Sequence, residues 1–222
     1  MQQKRLAVLL MSLLLPMTAF AEAGDWVVRA RAVNVNPDEH SKLGSYTNSL
    51  LGAGAGSKLE VDGNTIPEFD ISYYLTKNIA LELVLAIGTR HDVKVNGANG
   101  VVDENLGSVN LLPPTLTAQW HFRPDQTFDP YLGAGFNYTR FMDSNLKSGA
   151  SGNNLGDINV DRNSWGLAFQ AGFDINLDGG WLINADVKKI WIDTDVKLAN
   201  GTKIDHLDID PWVIGIGFGK KF

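Results

Sequence analysis

His206, Asp208 and Asp210 are spaced two residues apart near the end of the chain. That period puts side chains on one face of a β-strand. Such a set could act as a base held by a carboxylate, or as a weak metal cluster. Hydrolysis would also need a nucleophile beside the base, and no convincing serine can be assigned to that place. A solvated outer wall accounts for the same residues. His40, His91 and His121 are scattered, with no metal-ligand spacing. The chain has no cysteine, so thiol nucleophiles and thiolate metal sites are absent. Gly133-x-Gly135 sits in a strand-like run with no helix after it, which is not how a phosphate loop is built. The expectation is a protein that is not an enzyme and needs no metal or cofactor.

A second group of charged residues is more informative. Arg29, Arg31, Glu68, Asp70, Glu82, Asp174, Asp186 and Lys188 all fall on the polar side of alternating runs. A small soluble core would not bury so many charges, whereas a membrane barrel can pair them in its lumen. Arg29 and Arg31 on a first strand should face Glu68 and Asp70 on its neighbour, because opposite charges attract across a strand pair. The expected result is a polar plug filling half the lumen.

The elements that must position these residues are eight runs of period-two alternation in the sequence, the pattern of β-strands. They cover 25–36, 66–75, 79–90, 107–122, 130–141, 163–177, 181–196 and about 204–222. In the third, Ile79, Leu81, Leu83, Leu85 and Ile87 form one apolar face. In the sixth, Trp165, Leu167, Phe169, Ala171, Phe173 and Ile175 do so. The connections near 76, 126 and 179 are short, and Asp178-Gly179-Gly180 is a hairpin signal. Those at about 37–64, 93–106, 142–162 and 197–203 are long and rich in Gly, Asn, Ser and Asp. Outer-membrane barrels have short periplasmic turns and long outer loops, so an even strand count puts both termini in the periplasm.

Residues 1–21 read as a cleaved signal peptide: Lys4 and Arg5, an apolar stretch from Leu6 to about Phe20, then Ala19-Phe20-Ala21 as the cleavage pattern. An N-terminal anchor helix is the alternative. Residues 22–222 then form one unit. No later stretch is long and apolar enough for a spanning helix, which leaves a closed barrel as the way through a bilayer. The net charge of −6 does not suggest nucleic acid, which wants a basic surface. A soluble lipocalin-like barrel would keep the same apolar faces inside. The charges on the polar faces argue against it. So do Tyr73, Trp120, Phe122, Phe173, Trp181 and Phe222, which end the apolar faces near the short turns like an interfacial girdle. The fold expected is all-β: an eight-stranded antiparallel transmembrane β-barrel integral to the outer membrane, in contact with its lipid.

Several segments resemble the OmpW family: Ile66-Pro67, Tyr73 to Asn78, Leu111-Leu112-Pro113-Pro114-Thr115 with Gln119 to Phe122, Pro130 to Gly135 with Asn137-Tyr138-Thr139, and Gly215 to Phe222. The resemblance spans the mature chain. It implies an eight-stranded outer-membrane barrel and a role in moving small hydrophobic molecules, with an AlkL branch associated with alkane uptake. It also implies that terminal Phe222 is read by the barrel-assembly machinery.

Above the plug the alternation inverts. Extending each strand in phase turns Val33, Val35, Val109, Leu111, Ile190, Ile192, Leu207 and Ile209 inward, with Asn34, Asn36, Ser108, Asn110, Asp193, Asp195, Asp208 and Asp210 outward. That suits an apolar cavity above the membrane. A one-residue bulge would instead return these side chains to lipid. The third and sixth runs do not show the inversion. Leu50 and Leu51, in the stretch from Ser49 to Gly56, line or cap the cavity, or belong to a surface loop or short helix. Pro67, Pro113, Pro114 and Pro211 sit within strands, where each removes a ladder donor. At a rise of ~3.3 Å and a tilt of ~40° they lie roughly 25 Å up, at the top of the apolar band. Broken pairing there would let a small hydrophobic ligand leave sideways into lipid, or would merely end regular pairing. The other functional expectation is a surface receptor whose loops bind phage, toxin or host factors without transport.

Overall fold

The computed structural model of the protein describes residues 22–45, 56–86, 89–97, 103–148 and 156–222. Leu50, Leu51 and residues 1–21 lie outside the described residues. The described chain forms fourteen strands in one antiparallel sheet. They are β1 (Trp26–Asn36), β2 (Lys58–Val61), β3 (Asn64–Tyr74), β4 (Ile79–Ala86), β5 (Thr89–Asn96), β6 (Glu104–Leu112), β7 (Thr115–His121), β8 (Phe128–Ser148), β9 (Gly156–Val160), β10 (Asn163–Asn176), β11 (Trp181–Ile190), β12 (Asp193–Leu198), β13 (Lys203–Asp208) and β14 (Trp212–Lys221).

Around the lower half, β1, β3, β4, β7, β8, β10, β11 and β14 pair in turn and β14 returns to β1, closing an eight-stranded barrel. Closure satisfies every edge, the condition for a sheet in lipid. The remaining strands continue these eight staves upward as a collar ordered β13, β12, β9, β8, β6, β5, β2. The first and last strands are stitched where the chain ends: Trp26 N–H donates to Phe222 O at 3.0 Å and Phe222 N–H to Trp26 O at 2.7 Å. The termini therefore share the end of the barrel that carries the short turns. At one of these, Gly179 and Gly180 take φ of 69° and 79°, a region that a Cβ penalises.

The apolar face points outward. Trp120, Phe122, Trp181 and Phe222 are exposed near the short turns, beside half-buried Tyr73 and Phe173. The outward rows above them include Trp165, Phe136 and Ile216. This is inside-out relative to a lipocalin-like barrel, and it is what a lipid solvent demands.

Three sequence expectations need correction. The long connections are shorter than the sequence suggested, because β2, β9 and the ends of β5, β6, β8 and β12 run into them. These segments stand above the lipid belt and need no apolar outer face, so their strand signal is diluted by Gly and Asn. The inward apolar rule is also wider than expected. The sixth stave turns Ile158 inward on β9, and the third turns Val93 inward on β5. On the third stave the inward phase passes from Ala86 to His91, a parity change that continuous alternation cannot reveal. Finally, Pro67 lies within β3, but Pro113 and Pro114 fall between β6 and β7, and Pro211 between β13 and β14. A residue without an N–H interrupts the ladder.

Candidate functional site

The lumen of the lower barrel is filled by paired charges. Arg29, inward on β1, places Nη1 3.0 Å from Asp70 Oδ1 and Nη2 2.7 Å from Asp174 Oδ2. Arg31 sets Nε 2.8 Å from Glu68, and Nη2 2.8 Å from Asp70 and 3.2 Å from Glu82. Lys188 Nζ lies 3.0 Å from Glu68 and 2.6 Å from Asp186. All eight charged candidates are buried. Neutral partners that the sequence reading passed over complete the set. Asn184 Nδ2 donates to Asp174 at 2.8 Å and to Tyr131 Oη at 3.0 Å, Gln170 Nε2 to Glu82 at 3.0 Å, and Arg29 to Ser72 Oγ at 2.8 Å. Their signal was present, since each shares the inward phase of its strand. Beneath them His121 Nδ1 is 2.7 Å from Asp129.

Glycines make room for the long arms. Gly217 and Gly219 on β14 pair with Arg31 and Arg29 on β1. A Cβ at these positions would stand 2.8 Å and 2.7 Å from the Cγ atoms of those arginines.

Above this plug is an apolar cavity of about 50 Å³. Val33, Val35, Leu111, Ile190, Ile192 and Ile209 line it, and Val109 and Leu207 line a smaller space just above. Ile66, Val84, Ala86 and Val213, not assigned to the cavity from sequence, complete the wall. Glu68 and Lys188 form its floor, so the same ion pair closes the cavity and tops the plug.

The OmpW family model matches residues 22–222. The chain belongs to the OmpW family. It is 34% identical over 226 residues to outer membrane protein W of Escherichia coli, with all of both chains covered. It is 28% identical over 208 residues to a Pseudomonas aeruginosa protein named for a dibenzothiophene metabolism operon, covering 91% of each. Among solved structures, the outer membrane protein OprG of Pseudomonas aeruginosa superposes with a TM-score of 0.77 at 33% identity, over 93% of this chain and 99% of that one.

In this OmpW-family barrel the prolines do not act alike. At Pro211 the wall is stitched: Ile190 N–H donates to Pro211 O at 3.2 Å and Ile209 N–H to Ile192 O at 2.8 Å. Pro114 O likewise accepts from Tyr138 N–H at 3.0 Å on the side of β8. Among the described residues, which leave out 87 and 88, the third stave pairs with the second up to Glu68↔Ala86 below Pro67 and from Val61↔Val93 above it, and with the fourth up to Val84↔Thr115 below Pro113 and from Thr89↔Leu111 above it.

His206 has structural partners on the outside of the collar. Its Nδ1 is 2.7 Å from Asp195 Oδ1 and its Nε2 3.5 Å from Asp208 Oδ1. Burial raises the Asp195 carboxyl, but hydrogen bonds from Lys203 and His206 overcome it and leave it below the usual range. Asp210 accepts from Ile192 N–H at 2.9 Å. Among the described residues no group of three or more His, Asp or Glu has a metal-binding arrangement.

One residue that sequence reasoning missed holds the collar shut. Asp205 is fully buried and accepts from Ser41 Oγ and from Lys42 N–H, each at 2.6 Å. Ser41 Oγ in turn accepts from Leu59 N–H at 2.8 Å. The segment after β1 thereby bridges β13 and β2 and carries Leu43 into the apolar cluster.

Proposed function

We propose that this barrel passes small hydrophobic molecules across the outer membrane. They enter the apolar outer cavity, stop at the ion-paired plug and leave sideways through the wall into lipid. The observation that carries this reading is the cavity's floor. An apolar molecule resting on Glu68 and Lys188 would have to displace a buried ion-pair network to go further down, whereas a sideways exit beside Pro67 or Pro113 breaks no charge pair. The narrowness of the cavity means that passage needs its Ile and Val side chains to turn. The relative named for dibenzothiophene metabolism supports an apolar cargo, since that compound is an aromatic thioether.

In this reading the short turns and both termini face the periplasm, residues 1–21 are removed on export, and Phe222 is recognised by the assembly machinery. Loss of Phe222 should then lower the yield of folded barrel, and mass spectrometry of the mature protein should start at Glu22. The transport reading is tested by comparing cells lacking the protein with cells expressing it. Initial uptake of a medium-chain alkane or an aromatic hydrocarbon is measured beside a hydrophilic solute of similar size. Faster uptake of the apolar compound alone is expected. Faster uptake of both would mean an open aqueous lumen. No change in either, with folded barrel present, would favour a surface receptor instead.

A further inference from the structure

Four polar residues line the apolar cavity among the described residues: Glu68, His91, Thr115 and Lys188. Thr115 is engaged in the wall, where its Oγ1 donates to Pro113 O at 3.2 Å and accepts from Asn137 Nδ2 at 2.9 Å. His91 is held by its Nδ1, which donates to Asp62 O at 2.8 Å. The two floor residues keep valence to spare. Both cationic partners of Glu68 approach the same carboxylate oxygen: Arg31 Nε lies 2.8 Å and Lys188 Nζ 3.0 Å from Oε1. Oε2 has no partner among the described residues. It is also not among the enclosed polar atoms that lack one, so it opens on the cavity that Glu68 lines. Lys188 has three N–H donors and gives two, to Glu68 Oε1 and to Asp186 Oδ1 at 2.6 Å. An acceptor and a donor thus stand together under a wall of Val33, Val84, Ile190 and Val213.

We infer that Glu68 and Lys188 form a seat for a hydroxyl, and that the ligand class this cavity selects is a neutral alcohol with an apolar tail, bound head down on the plug. This rests on the hydrophobic-passage reading above and names its cargo. A hydroxyl both donates and accepts. One oxygen can therefore give its proton to Glu68 Oε2 and accept the remaining N–H of Lys188, and no ion pair has to break. A hydrocarbon in the same place returns neither bond, and the carboxylate oxygen that it shuts off from water stays unpaired. A carboxylate head has no proton to give and meets Glu68 as a like charge. An ammonium head meets Lys188 in the same way. The tail lies against the Val and Ile side chains of the wall, where each buried methylene favours binding.

Two measurements test the seat. The purified barrel, methyl-labelled at valine and reconstituted in lipid bilayers, is titrated with 1-octanol, and through-space NMR contacts are read from both ends of the alcohol. Its C1 protons should contact the methyls of Val33 and Val213, and its terminal methyl those of Val109 or Val196 in the smaller space above. The reverse orientation, or no contact from either end, overturns the seat. In cells, initial uptake in excess of cells lacking the protein is measured for 1-octanol, n-octane, octanoate and 1-methoxyheptane, an isomer of octanol that accepts a hydrogen bond but cannot donate one. The wild type should carry octanol several-fold faster than the other three. In Glu68→Gln the amide keeps its oxygen toward Arg31 and Lys188 and turns its N–H donors to the cavity, so octanol and the ether should enter at similar rates. An unchanged ratio in that variant, at matched folded barrel, contradicts the seat. If the variant does not fold, the wild type decides, since equal rates for octanol and the ether contradict it as well. Equal and protein-dependent uptake of all three neutral compounds would leave hydrophobic passage standing without the seat. If none is carried, passage itself fails, and the bilayer contacts alone decide the seat.

Discussion

Arg29 and Arg31 reach from one strand to carboxylates on four others. Breaking such a network differs from replacing it, because removing one partner strands the opposite charge. Arg31→Met should therefore destabilise the barrel by about 3–5 kcal/mol, lowering the urea midpoint of the refolded protein. An unchanged midpoint would mean that the pairs contribute little. Gly217 makes a different demand. Its Cβ would sit 2.1 Å from Ala30 O, a backbone atom that cannot swing aside. Gly217→Val should cost about 1–3 kcal/mol or prevent folding, read in the same unfolding assay. Asp205 sets a pH response in the collar. Burial pushes its carboxyl up, and the bonds from Ser41 and Lys42 only partly offset this, so it titrates above its ordinary value. The native collar then binds a proton more tightly than the unfolded chain does. Its contribution is greatest in acid and declines as pH rises from the ordinary carboxyl value through the raised one. Amide exchange at Lys42 and Leu59, corrected for intrinsic rate, should speed up across that window in the wild type but not in Asp205→Asn. Equal slopes would remove Asp205 from the clasp.

At the scale of elements, the breaks matter as much as the strands. Restoring ladder donors with Pro67→Val and Pro113→Val should extend pairing along both flanks of the third stave and slow hydrophobic uptake. Unchanged uptake would mean that these prolines only end regular pairing. The lower staves were legible in the sequence because lipid on one side and charge on the other force strict alternation, as in Ile79 to Ala86. Such a pattern also reveals the inward set, Arg29 and Glu82 among it. The collar was harder to read. Ile158 and Val160 sit in a five-residue strand flanked by Gly, Asn and Asp, and a segment that short carries little periodic signal. The parity change between Ala86 and His91 hid the third stave's inward residues for the same physical reason that a bulge always does: one residue flips every side chain beyond it. His91 looked isolated because its partner, Asp62 O, is a backbone atom on another stave. Asp205, inside the eighth run, gave no sign of its role because the groups it binds, Ser41 and Lys42, are more than 160 residues away.

The whole molecule joins two solvents in one tube. Below, the wall is apolar outside and ionic within. Above, it is polar outside and apolar within, and the change occurs where Glu68 and Lys188 meet Val84 and Ile190. An aqueous solute meets a greasy collar, and an apolar one meets a charged floor. The lateral release proposed above would resolve the conflict without opening the plug. The most direct test is to fill the cavity while leaving the plug and the outer belt as they are. Ala86, 8% exposed and part of the cavity wall, can be replaced by Trp. Initial uptake of an apolar compound by cells carrying Ala86→Trp is then compared with the wild type at matched amounts of folded barrel. The account predicts a fall to the rate of cells lacking the protein. Uptake as fast as the wild type would show that hydrophobic molecules do not travel through this cavity.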